Sequence, residues 1–168
     1  MSTHDNAPSS TTAAVKSSGS TMRVTLKRTR GAQFLASNGA GQTALIDGPA
    51  DIGGQGEGVR PMEMLLMSLA GCSAMDVLLI LQKQRQPVSD LTVDVEGKRA
   101  DAVPAVYTDI HLIFTASGDL DAQKLARAVA LSMEKYCSVT KMLEPTVRIT
   151  HEACIVPTTL SGNTETRD

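Results

Sequence analysis

Three cysteines, Cys72, Cys137 and Cys154, are the residues of this 168-residue chain best suited to covalent chemistry. A thiolate is both a nucleophile and a metal ligand, but a free thiol titrates near a pKa of about 8.5, so a working cysteine depends on its surroundings. The cysteine count is odd, and the first residues lack the charged start, apolar run and cleavage site of an exported protein. Both features point to reduced or redox-active thiols in the cytoplasm, not to a structural disulfide framework. With no CxxC, HxxxH or other compact ligand spacing, no metal site is expected. The run Gly53-Gly54-Gln55-Gly56-Glu57-Gly58 lacks the Lys-Ser/Thr of a phosphate loop and the GxGxxG spacing; it reads as a flexible loop, and no cofactor is expected.

Cys72 stands in Leu69-Ala70-Gly71-Cys72-Ser73-Ala74. Taken alone it reads as a small apolar core residue, since free cysteine is among the most buried types. Its small neighbours leave room around the sulfur, which suits a substrate, a partner chain or tight helix packing alike. Cys137, in Glu134-Lys135-Tyr136-Cys137-Ser138-Val139, follows Val129 and Met133 by eight and four residues, on the apolar face of a helix. Cys154, His111 and His151 fall in strands and read as packing or structural residues.

The elements that must position these thiols follow from periodicity. Met22, Val24 and Leu26 alternate with Arg23, Thr25 and Lys27 as in a half-buried strand. Gln33 to Ser37 and Thr43 to Ile46 give two more strands around the turn signal Asn38-Gly39, and 47–60 reads as a loop. Pro61 suits the first turn of a helix that runs to about Gln86 and is stopped by Pro87. Gly71 within it marks a kink or a close backbone approach. Strands at Leu91 to Val95 and Tyr107 to Thr115 follow, then a helix capped by Asp119 or Asp121 and extending through Leu125, Val129, Met133 and Cys137. Pro145 ends it, and a last strand runs from Val147 to about Val156. The order βββ-α-ββ-α-β is α+β, without the strict alternation of a parallel sheet.

Residues 1–20 and 158–168 are poor in large apolar side chains and are expected to be disordered tails flanking one domain at 21–157. The net charge of −2 hides no basic stripe, and only Phe34, Phe114, Tyr107 and Tyr136 are aromatic, so nucleic acid is a poor partner. Met62 to Leu81 is long enough to span a bilayer, but Asp76 lies well inside it, so a buried central helix is expected in place of a membrane span. One small sheet covers such a helix poorly, which favours a homodimer.

The arrangement from about Met22 to Val156 resembles the OsmC/Ohr family of hydroperoxide reductases. The motifs are Arg60-Pro61-Met62-Glu63 leading to Ala70-Gly71-Cys72, and Cys137-Ser138-Val139-Thr140, a variant of that family's Cys-Pro-Val-Ser context. The two thiols are 65 positions apart with two strands between them, as in the family. The resemblance implies a central buried helix on antiparallel sheets in an intertwined homodimer. It implies a thiol-dependent peroxidase in which Cys72 attacks an organic hydroperoxide, Cys137 resolves the sulfenic acid as a disulfide, and a dithiol reductant reopens the bond. It also implies an arginine near the thiol, for which Arg28 and Arg30 are the candidates, held by a carboxylate for which Glu63 is the match. Glu63 precedes Cys72 by nine residues where the hydroperoxide-specific branch has ten, and Met62 stands at that position. On an unbroken helix Glu63 is thus on the opposite side from Cys72, and as a first-turn acid it also suits the helix dipole. The other reading of the chain is a non-catalytic dimer that binds a small hydrophobic ligand in the same apolar surroundings.

Overall fold

The structure, a computed structural model, describes residues 20–157. Both expected tails, Ser20 apart, lie outside the described residues. β1 (Val24–Arg30), β2 (Gln33–Asn38) and β3 (Thr43–Asp47) form an antiparallel meander. A loop with one 3₁₀ turn leads to α1 (Pro61–Lys83). β4 (Val88–Arg99) and β5 (Tyr107–Gly118) pair as a long hairpin, and α2 (Ala122–Leu131), α3 (Ser138–Leu143) and β6 (Arg148–Val156) complete the chain. β6 pairs with β5 in parallel, so the second sheet, ordered β4-β5-β6, is mixed where antiparallel sheets were expected. A parallel neighbour needs a crossover, and the helical segment 122–143 supplies it.

The core lies between the second sheet and the helices. On β5 the alternating residues Ile110, Leu112, Phe114 and Ala116 are buried, and they face Leu69, Val77 and Leu81 of α1 and Leu125, Ala128 and Val129 of α2. Gly97 on β4 lets the Tyr107 ring cross the sheet, since a Cβ there would lie 2.5 Å from Tyr107 Cε1. Tyr107 Oη then donates to Met62 O (2.9 Å), tying the start of α1 to the sheet.

α1 differs from expectation in three ways. It runs unbroken through Gly71, where an added Cβ would meet nothing within 4 Å among the described residues, so neither a kink nor a close approach there explains the glycine. It ends at Lys83, just before Arg85 turns the chain with a left-handed φ of 55°, which explains the stop better than Pro87 does. It is not covered on most sides: Leu69, Ser73, Val77 and Leu81 form a buried stripe, whereas Met67, Met75, Leu78 and Leu79 face outward. By length and composition α1 could cross a membrane, but its flanks pack on β4, α2 and α3.

Candidate functional site

The second helical segment is where Cys137 acquires its surroundings. Asp121 caps α2 by accepting from Lys124 N (3.0 Å), and the helix then widens at Ser132–Tyr136 into a single π turn, closed by Cys137 N donating to Ser132 O (2.8 Å). Cys137 therefore does not sit on a continuous helical face as its spacing suggested. It occupies the cap position of α3, with extended backbone (φ −66°, ψ 106°), and its sulfur accepts from Thr140 N at 3.5 Å. Isolated π turns inside helices recur at functional sites because they re-aim one side chain.

The π turn is docked on α1 through Ser132. Its Oγ lies 3.2 Å from Ser73 O and 3.3 Å from Asp76 Oδ2, so one hydroxyl proton is shared between a backbone and a carboxylate oxygen. Cys72 and Asp76 are four residues apart on α1 and so share a face. The result is a cluster: Cys72 Sγ, Cys137 Sγ and an Asp76 carboxylate oxygen all lie within 4.8 Å of one another. Cys72 and Asp76 are half-buried and Cys137 is fully buried. Burial pushes the Cys137 thiol above its ordinary pKa, the Thr140 hydrogen bonds offset part of that, and the neighbouring Cys72 thiol raises it further. Asp76 also lines a cleft of about 360 Å³, walled by Leu79, Ile80, Leu131 and Tyr136 with Lys83 among its lining residues.

A fold of this order has counterparts. The family model described as OsmC-like protein matches residues 54–165. The chain belongs to the OsmC-like protein family. Protein YhfA of Escherichia coli strain K12 is 43% identical over 136 residues, covering 80% of this chain and 98% of YhfA. A hypothetical protein from Aquifex aeolicus has a crystal structure with a TM-score of 0.71 and 34% identity, covering 82% of this chain and 99% of that one. The organic hydroperoxide resistance protein OhrB of Bacillus subtilis shares the fold at a TM-score of 0.58 and 19% identity, covering 79% and 97% of the two chains. The α+β fold and the OsmC/Ohr kinship read from the sequence are both found.

Of the residues that the OsmC-like resemblance nominated, the structure brings Cys72 and Cys137 together and leaves the others elsewhere. Glu63 accepts from Arg60 N (3.0 Å) and closes the first turn of α1. Because α1 is unbroken, the nine residues to Cys72 are about 13.5 Å of helix rise, and Glu63 faces a different cleft with Leu66, Ala70, Val93 and Val95. Arg30 pairs with Glu57 at 2.5 Å, and Arg28 Nε donates to Gly31 O (2.6 Å). Neither arginine is bonded to a thiol within one chain. The ion pairs among the described residues are Arg30–Glu57, Lys141–Glu144 and Arg148–Asp109, and His111 Nε2 lies 3.6 Å from Glu152, so none brings a cation to Asp76.

Two features escaped the sequence reading. Asp76 had counted only as a charge unfavourable in a membrane; its signal was the four-residue step from Cys72 within a helix. The loop before α1 is pinned, not merely flexible: the buried Asp47 carboxylate accepts from Gln55 N (3.1 Å), Glu57 N (3.2 Å) and Gln33 Nε2 (3.3 Å). Cys154, expected to pack, is exposed on β6.

Proposed function

We propose that this OsmC-like chain is a two-cysteine peroxidase for organic hydroperoxides, and the single observation that carries the reading is the approach of Cys72 and Cys137 to within 4.8 Å across two helical elements. Accessibility divides the roles. Cys72 is the half-exposed thiol and meets the peroxide, whereas Cys137 is sealed from solvent and waits as a thiol. The Cys72 thiolate attacks the distal oxygen, the O–O bond breaks, and the leaving alkoxide takes a proton to depart as an alcohol. Cys72 is then a sulfenic acid. Cys137 attacks its sulfur, and the hydroxyl leaves as water. A disulfide needs an S–S distance of about 2.05 Å, within reach of side-chain rotation from the observed approach. A dithiol reductant restores both thiols by exchange.

The cleft beside Asp76, walled by leucine, isoleucine and tyrosine, favours a hydrophobic alkyl group on the peroxide. A second copy of the chain completes the domain: Met67, Met75, Leu78 and Leu79 on α1, and Val24 and Leu26 on β1, are apolar and uncovered among the described residues. Roles for Arg30 and Glu63 at the thiol require that copy, since neither reaches Cys72 in its own. Cytoplasmic thiol reductants fit the need for recycling. The reading in which the cleft holds a hydrophobic ligand without turnover draws on one observation, the apolar wall that Leu79, Ile80, Leu131 and Tyr136 give it.

The deciding experiment is intact-mass spectrometry and peptide mapping of the reduced protein after one equivalent of cumene hydroperoxide. Loss of two hydrogens with a Cys72–Cys137 crosslink is expected. Cys72→Ser should abolish peroxide consumption, and Cys137→Ser should let Cys72 advance to the sulfinic acid. An unchanged mass with both thiols free would overturn the peroxidase and favour the ligand-binding reading.

A further inference from the structure

We propose that the reduced chain also binds one thiophilic divalent cation of the Zn²⁺ class, held by Cys72 Sγ, Cys137 Sγ and a carboxylate oxygen of Asp76. The inference goes beyond the peroxidase and does not depend on turnover. It stands on the convergence of three donors of the right kind within 4.8 Å of one another. Around a tetrahedral zinc with Zn–S near 2.3 Å and Zn–O near 2.0–2.2 Å, neighbouring donors are about 3.5–3.8 Å apart. Small rotamer adjustments therefore close the set. Three protein ligands leave a fourth position for water, the composition of an open zinc site.

The charge of the donor set suits a divalent cation. A thiolate poised to attack is ordinarily stabilised by a nearby lysine, arginine or protonated histidine. The charged group that converges on Cys72 and Cys137 is instead a carboxylate, and none of the ion pairs among the described residues supplies it with a cation. Anionic donors crowded together are what a divalent cation requires. Two of the three donors are also held by outer hydrogen bonds, Asp76 Oδ2 from Ser132 Oγ at 3.3 Å and Cys137 Sγ from Thr140 N at 3.5 Å. Such second contacts orient metal ligands and are costly to remove. Spacing gave no hint of this set, because 61 residues separate Asp76 from Cys137 and the ligands meet only through the π turn. Both cysteines ligate as thiolates, any thiol proton passes to solvent, and no oxidation state changes. Disulfide formation between the same sulfurs removes both thiolate donors, so oxidation expels the cation.

The test is titration of reduced, metal-free protein with Zn²⁺ against a chromophoric chelator, in a Cys154→Ser background that removes the exposed thiol. One equivalent per chain should bind. Asp76→Asn should weaken affinity at least tenfold, Cys72→Ser or Cys137→Ser should abolish it, and Asp76→Cys should restore it. Co²⁺ gives a second readout independent of affinity: thiolate-to-metal charge-transfer absorption in the parent, absent from Cys72→Ser. Zinc binding that is equal in parent and Cys72→Ser, or unaffected by Asp76→Asn, would overturn the site. Peroxide consumption is measured separately on metal-free protein, so either reading can fail without the other.

Discussion

The two sheets of this molecule are held in opposite ways. The β4–β6 sheet is an apolar structure: Ile110, Leu112, Phe114 and Ala116 are all buried against α1 and α2. The β1–β3 sheet buries polar residues instead. Gln33 and Asp47 are its buried side chains, while Met22, Val24, Leu26 and Leu35 are exposed beside or on its strands. One region folds around its own core, and the other has a period-two apolar pattern with nothing among the described residues to bury it. Met22, Val24 and Leu26 are alternate residues and share one face, and a contiguous exposed apolar patch marks an interaction surface. The difference separates what the chain does alone from what we propose it does with a second copy.

The comparison can be broken most directly in the core. Phe114→Ala removes a fully buried aromatic and is expected to cost about 3–5 kcal/mol, read as a lower denaturant midpoint for the whole chain. Leu26→Asp on β1 makes the opposite prediction: the chain stays folded, but sedimentation shows the proposed dimer shifting to monomer. Equal loss of chain stability in both variants would erase the distinction between the sheets.

Acid sharpens it. Asp47 is buried, which raises its carboxyl pKa, but hydrogen bonds from Gln55, Glu57, Gln33 and Gly48 outweigh that and hold it below the ordinary value. A carboxyl depressed in the folded state contributes stability that is complete above its unfolded pKa and disappears as pH falls through the folded one. Amide exchange in 47–57 should therefore accelerate below the ordinary carboxylate range, earlier than in β5. Asp47→Asn should remove that pH dependence while leaving β5 protection intact.

The same contrast explains what the sequence could convey. Period-two alternation and Pro61 located β1 to β3 and the start of α1, because those signals are local. Cys72 and Cys137 were found through motifs, and their meeting was an inference from the family. The π turn was invisible, since Leu125, Val129 and Met133 carry an uninterrupted helical stripe up to it and no Gly or Pro marks the change. Asp76 was only half legible as a site residue: its four-residue step from Cys72 is local, but its other partners, Ser132 and Cys137, are more than fifty residues away. The Arg30–Glu57 pair was hidden in a glycine-rich loop whose order depends on one buried carboxylate.

The smallest effect concerns the joint between the two regions. Tyr107 crosses over Gly97 and donates from Oη to Met62 O at 2.9 Å, one residue before Glu63 closes the first turn of α1. Burial raises the Tyr107 pKa, so the hydroxyl remains a donor through the neutral range. Tyr107→Phe keeps the ring and loses one hydrogen bond, for an expected cost of about 0.5–1.5 kcal/mol. Gly97→Ala acts on the same contact from the other side, by driving a Cβ into the ring at 2.5 Å. If the start of α1 is fastened by the second sheet and not by the first, both substitutions lower the denaturant midpoint and leave the self-association of Leu26-bearing β1 unchanged. A change in dimer affinity without a change in midpoint would mean that the joint belongs to the interface and that the two regions are one unit.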